Sequence, residues 1–285
     1  MKNKTPSQAP GKVMLWRANE TIGVNVVSIK GEDLGCVEDI VLDRNASRIA
    51  YVIVSYGGLL GFWDKHFAVP WQAFSQTVDR DLSLGIDPEQ LKNAPGFEKG
   101  TLPDTTDPLF HEKVHSFYNT KPYSLEEKAR AELKASMENV GERTSDWRSW
   151  WDWDSWVKRG DDTTWARRLG ELIGTKIEDA QGEIIAELED VIVESREARA
   201  VYAVVSHDDT LGVSAGTAII PWNTLRLNVA REVYVTNVTL DQLKQPNLNG
   251  TEHRSLENRE YSEALYGAFG TKPFWEEFGY ESEMN

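Results

Sequence analysis

Two small antiparallel β-barrels in tandem, each followed by a helical extension, make up the fold the sequence predicts: mainly β, with a pseudo-twofold repeat. Three observations carry it. The chain matches itself at an offset of 151 residues. Within each copy, short stretches rich in β-branched residues recur at roughly ten-residue spacing. Each copy then closes on a segment whose apolar residues follow a helical period rather than alternating.

Set against the residue 151 positions further on, Ile22 to Trp71 aligns without a gap and keeps 14 identities in 50 positions. Ile22-Gly23 meets Ile173-Gly174, Gly31-Glu32 meets Gly182-Glu183, and Glu38-Asp39 meets Glu189-Asp190. Arg48 meets Arg199, Tyr51 meets Tyr202, and Pro70-Trp71 meets Pro221-Trp222. After a one-residue slip, where Glu89-Gln90-Leu91-Lys92 faces Asp241-Gln242-Leu243-Lys244, the offset returns. It carries Thr120-Lys121-Pro122-Tyr123 onto Thr271-Lys272-Pro273-Phe274. The repeat therefore divides the chain into a first barrel at 13–95, a tail at 104–123, a connection at 124–164, a second barrel at 165–246 and a second tail at 255–285. A chain of 285 residues is long enough to build two domains.

The elements follow in order. VNVVSI (24–29), GCVEDIVLD (35–43), RIAYVIVSY (48–56), HFAVP (66–70) and DLSLGI (81–86) read as strands, with Gly31, Asn45 and Gly57-Gly58 as turns. Connections of hairpin length point to an antiparallel barrel or sandwich. Asp87 can cap a short helical turn with Pro88 at its first position. In the tail, Asp107 and Pro108 open a helix that places Phe110, Val114 and Phe117 on one face. SLEEKARAELKASMENV (124–140) opens on a Ser124 to Glu127 capping box and reads as a charged linker helix or a dimerising arm.

The residues at this point resemble the PRC-barrel family. The resemblance rests on the opening Ile-Gly, the Gly-Glu pair before V-E-D-I-V-L-D, then R-x-x-Y-V-I-V-S, and A-V-P-W closing the last long strand. All four recur in the second copy, as Ile173-Gly174, LEDVIVE (188–194), RAVYAVVS (199–206) and AIIPW (218–222). The family includes the cytoplasmic domain of a photosynthetic reaction-centre polypeptide and the carboxy-terminal domain of the ribosome-maturation factor RimM. The resemblance implies a small β-barrel used as a docking module, with no catalytic residues to carry over. The two tails look like an extension found in some stand-alone members.

Bulk properties narrow the function classes. The composition, 40% hydrophobic and 27% charged, is that of a folded chain rather than a disordered one. A formal net charge of −15 repels phosphate backbones and anionic lipid, so direct nucleic-acid binding is disfavoured. Cys36 is the single cysteine, which excludes an intrachain disulfide and a cysteine-based zinc site. No stretch reaches the roughly 18 apolar residues of a membrane span, and MKNKTPSQAPGKVMLW lacks an apolar leader core, so a cytoplasmic location is expected.

Several constellations invite a chemical reading. His111-Glu112-Lys113-Val114-His115 has the spacing by which zinc proteases place two imidazoles on one helical face beside a general base. Three features oppose it: Lys113 is charged, the second copy reads Ser262 and Tyr266 where the histidines would stand, and no third ligand stands out. The expectation is an amphipathic helix folded onto the barrel with both histidines partly exposed. Glu38-Asp39 and Glu189-Asp190 could suggest acid-base pairs, but neighbours on a strand diverge. They are read as structural, anchoring a turn or meeting Arg48 and Arg199. Gly23 and Gly174 open the repeat signature; Pro70-Trp71 and Pro221-Trp222 close a strand, with the indole covering one end of the barrel. Gly-rich GGLLG (57–61) lacks the context of a phosphate cradle, and KRGDDTTWARR (158–168) reads as a solvated approach to the second barrel.

Trp147, Trp150, Trp151, Trp153 and Trp156 crowd one short segment. One helix could not bury all five on one side, so the segment is expected to pack on both barrels or to offer an interaction surface; interleaved aspartates oppose membrane insertion. The function these features imply is a non-catalytic scaffold or adaptor, without cofactor or metal, that binds a protein partner or associates with itself as a homo-oligomer. A RimM-like assembly factor and a zinc-dependent hydrolase acting through residues 111–115 are the alternatives.

Overall fold

The structure is a computed structural model that describes residues 13–44, 47–56, 65–76, 81–98, 101, 103, 108–121, 166–207, 216–228, 230–243 and 253–279, with Pro108, His253 and Arg254 described by backbone alone. The charged helix expected at 124–140, the five-tryptophan segment at 146–156, the GGLLG loop and the Asp107 cap lie outside the described residues.

The first copy contributes β1 (Leu15–Arg17), α1 (Ala18–Thr21), β2 (Asn25–Ser28), β3 (Asp33–Asp43), β4 (Arg48–Tyr56), β5 (Lys65–Val69), β6 (Phe74–Gln76), β7 (Leu82–Leu84), α2 (Pro88–Lys92), β8 (Gly96–Glu98) and the tail helix α3 (Pro108–Phe117). The second contributes β9 (Ala166–Arg168), α4 (Leu169–Leu172), β10 (Lys176–Glu178), β11 (Ile184–Glu194), β12 (Ala200–His207), β13 (Gly216–Pro221), β14 (Leu225–Asn228), β15 (Val233–Thr236), α5 (Leu240–Leu243) and the tail helices α6 (Arg259–Ala268) and α7 (Phe274–Phe278). Every strand read from the first copy is present, RIAYVIVSY with the same bounds as β4. The three-residue strands β1, β6 and β8 are additions: each is too short to show a period of its own.

Each copy forms a curled half-barrel sheet. In the second the order is β13-β12-β11-β10-β15-β14; in the first it is β6-β7-β2-β3-β4-β5, extended by β8. Pairing is largely antiparallel, as hairpin-length connections dictate, but β2 pairs with β7 and β10 with β15 in parallel. The terminal hairpin of each copy returns to the far side of the first long strand, which a reading based on neighbouring strands does not anticipate. Curling comes from bulges: on β11 the register shifts between Leu188 and Asp190 and again between Ile192 and Val193. A bulge bends its strand and raises the local twist. In consequence β10 pairs with the first half of β11, while the second half is free to pair with β1.

The compact units draw on both copies. One comprises the described residues of Met1–Asn25, Cys36–Ile40 and Arg168–Asn285, the other those of Val26–Gly35 and Val41–Arg167. Local sequence chemistry sets the junctions. Asp87 Oδ1 accepts the Gln90 amide at 2.8 Å while Gln90 Oε1 accepts the Asp87 amide at 2.9 Å, the reciprocal cap that starts α2. Thr239 and Gln242 repeat the arrangement at α5. Gly23 and Gly174 both stand at φ +85°, where a side chain is disfavoured, and donate at 2.7 Å to Val37 O and Leu188 O.

Among the described glycines Gly35 makes the tightest backbone approach: at φ +102° a Cβ would stand 1.8 Å from Ser55 O. Gly35→Ala is therefore expected to destabilise the protein by about 3 kcal/mol, read as a lower urea midpoint with an unchanged slope.

Candidate functional site

The tail helix α3 lies on its own barrel through the two histidines. His111 and His115 are 6% and 1% exposed, which corrects the expectation that they are partly exposed. The buried stripe of α3 runs through His111, Val114, His115 and Tyr118, whereas Phe110 and Phe117 are only partly covered. Helical spacing places the first four on one face, and the apolar pair Phe110 and Phe117 misleads because the histidines are the better-packed residues. Tyr51 on β4, fully buried, shares a 2.6 Å hydrogen bond with His111 Nδ1. The two imidazoles lie 4.3 Å apart between centroids with their planes tilted by 54°, and His115 Nδ1 shares a 2.8 Å hydrogen bond with Thr120 Oγ1. Glu112 and Lys113 are exposed.

Burial shapes the titration here. It pushes His115 down to about 3, with the neighbouring His111 and Arg48 adding to the effect. It raises Tyr51, together with the Asp43 charge, and it raises Tyr118. The His115 imidazole is therefore held neutral at physiological pH in a packed, low-dielectric setting.

The second copy builds the same contact from other residues. Tyr202, the equivalent of Tyr51, hydrogen-bonds Ser262 Oγ, the equivalent of His111. Tyr266, at the place of His115, donates to Val201 O at 3.1 Å and lies 5.4 Å from the Tyr202 ring. Phe274 and Trp275 of α7 complete the cluster at 2% and 0% exposure. Burial pushes Tyr202 and Tyr266 upward, so both phenols stay protonated. The Thr-Lys-Pro shared by the tails ends each helix alike. Asn119 and Gly270 take the left-handed conformation, and the Thr120 and Thr271 amides reach back to His115 O and Tyr266 O at 2.9 and 3.1 Å.

The second carboxylate pair diverges, Glu189 exposed and Asp190 buried, while Glu38 and Asp39 are both partly covered. The two aspartates meet Arg17 and Arg168 rather than the expected Arg48 and Arg199. Asp190 accepts Arg17 Nε at 3.0 Å, the Asn19 amide at 3.0 Å and its neighbour Val191 at 2.8 Å. Asp39 pairs with Arg168 Nε at 2.8 Å, while Arg199 pairs with Glu197 and lies over the Phe278 ring. Both aspartates are raised, burial outweighing the arginine and the amides. Glu189 accepts Ser206 Oγ at 2.6 Å. Trp71 and Trp222 are buried, each opening a 3-10 turn after its proline, with Trp222 edge-on to Tyr234 at 5.5 Å.

A family model, the PRC-barrel domain, matches residues 16–85 and again 166–243. The chain belongs to the PRC-barrel family. A search among curated proteins finds no match. Each PRC-barrel copy thus carries the Ile-Gly turn, an arginine-paired aspartate, the central tyrosine and the Pro-Trp turn at equivalent places, and each adds a tail helix docked on that tyrosine. Among the described residues no three His, Cys, Asp or Glu side chains converge as a metal-binding group, and no helix is long and apolar enough to cross a membrane.

Sequence reasoning missed Arg17 and Arg168, although a signal was present: they are identical at the same offset, just upstream of where the gapless match begins. It also missed Glu194, whose carboxylate accepts the amides of Arg196, Glu197 and Arg199 at 2.7 to 3.0 Å and so shapes the β11–β12 turn.

Two outcomes follow from these environments. Arg17→Met leaves the Asp190 carboxylate buried without its cation, at a cost of about 3 kcal/mol near pH 7. Because Asp190 is then protonated more readily in the folded state, the penalty shrinks as pH falls, and chemical denaturation at about pH 7 and pH 5 shows the difference. His115 has a folded pKa below its unfolded value, so its contribution is complete above about pH 6.5 and is lost as pH falls towards 3, by up to about 1.4 kcal/mol per unit. Hydrogen exchange of α3 amides between pH 7.5 and 5 reads that loss, and the His111→Ser/His115→Tyr chain flattens it.

Proposed function

We propose that this PRC-barrel protein is a non-catalytic cytoplasmic scaffold or adaptor that docks a protein partner through the outer surfaces of its two copies. The observation that carries this reading is the equivalence of the two tails. Residues 111 and 115 do in the first copy what Ser262 and Tyr266 do in the second: they hold a helix against a buried tyrosine. A pair of histidines with a zinc-protease spacing is here a packing solution, with both Nδ1 atoms engaged by hydroxyls and Glu112 facing solvent. Aspartates that could serve as acids or bases are held by arginines and backbone amides. What is left for function is the exterior, strongly acidic and carrying exposed Ile29 and Leu109. Such a surface suits a partner with basic and apolar character better than it suits nucleic acid.

Affinity capture from the native cell with the full chain as bait tests this. The His111→Ser/His115→Tyr chain is expected to retain the same co-purifying protein as the unmodified chain, and protein purified without added zinc is expected to hold it well below one equivalent. Stoichiometric zinc that disappears on changing His111 and His115 overturns the reading in favour of a metallohydrolase.

A further inference from the structure

β1 belongs to the first copy in sequence and to the second in space. It adds antiparallel to the end of β11, with Leu15 opposite Glu194, Trp16 opposite Val193 and Arg17 opposite Ile192. The Ser195 amide donates to Met14 O at 2.9 Å, the Met14 amide to Ser195 Oγ at 3.0 Å and the Leu15 amide to Glu257 Oε1 at 3.3 Å. Val13 and Leu15, 1% and 4% exposed, enter the core that contains Ile192, Tyr202, Leu265 and Trp275. Arg17 and Asn19 then close on Asp190. The construction occurs twice: β9, which is β1 moved on by 151 residues, pairs with β3, and Arg168 closes on Asp39.

A three-residue strand has no stability of its own; its place is decided by the edge that receives it and by what it buries. The receiving edge has three parts here: the half of the long strand beyond its bulge, an apolar slot for the residues ahead of the strand, and a buried aspartate that selects arginine. A carboxylate buried at 1% exposure is costly without a cation, so the site discriminates between a strand that ends in arginine and one that does not.

We propose that this edge is a recognition site for the opening strand of another PRC-barrel copy, so that the two copies bind each other in trans and the connection at 124–164 is not what holds them together. The partner it fits is a second PRC-barrel copy with arginine at the place of Arg17 and Arg168. The site is separate from the outer surface assigned to the adaptor function and stands or falls independently of it.

The test uses the full chain with a specific protease site inserted after Gly141, folded first and then cut. The two fragments are expected to remain a one-to-one complex at micromolar concentration by size-exclusion chromatography and native mass spectrometry. Their separation after cleavage overturns the proposal. In the cut protein, Arg17→Asp combined with Arg168→Asp is expected to raise the fragment dissociation constant at least about tenfold. Should that pair prevent folding, Arg17→Gln with Arg168→Gln keeps the strands and removes the charges, and gives the same reading. A dissociation constant unchanged in the glutamine chain shows that the arginine and aspartate are not the recognition element and overturns that assignment.

Discussion

The burial of one carboxylate, Asp190, organises the join between the N-terminal strand and β11. At 1% side-chain exposure it cannot remain charged without help, and the help comes from Arg17 and Asn19, about 170 residues away in the chain. Satisfying it therefore draws the N-terminal strand onto β11 and puts Val13 and Leu15 into the core there. Asp39, less deeply covered, pairs with Arg168 at the equivalent place. Burial raises both aspartates, so neither pair is a store of stability; each acts as a selector, penalising any arrangement that leaves the acid alone.

The second constraint is the tyrosine at the centre of each sheet. Tyr51 and Tyr202 are wholly buried, and a buried phenol needs a partner for its hydroxyl. Each copy meets that need from its tail helix, and the chemistry of the partner is free to differ: an imidazole in one copy, a serine hydroxyl in the other. The position next along the helix face differs as well, His115 lying tilted against the His111 ring while Tyr266 turns its hydroxyl to Val201 O. The helix geometry is common, and so is its ending, in which a left-handed residue and a threonine amide close the last turn. The two copies thus diverged where many side chains satisfy the same demand and stayed alike where backbone conformation leaves few choices.

The tandem repeat, the long strands and the Asp87-capped turn were determined by the sequence alone. They depend on short-range physics: β-branched runs, glycine at positive φ, an Asp-Pro start and a 151-residue self-match that needs no structure to see. Tertiary structure alone decided which copy receives which opening strand, which arginine each aspartate meets, and that His111 and His115 are core residues. The physical reason is the same in all three cases. A three-residue strand has no period to read, a charge finds its partner through the fold rather than along the chain, and whether a polar side chain is buried depends on a hydroxyl contributed by a strand sixty residues away.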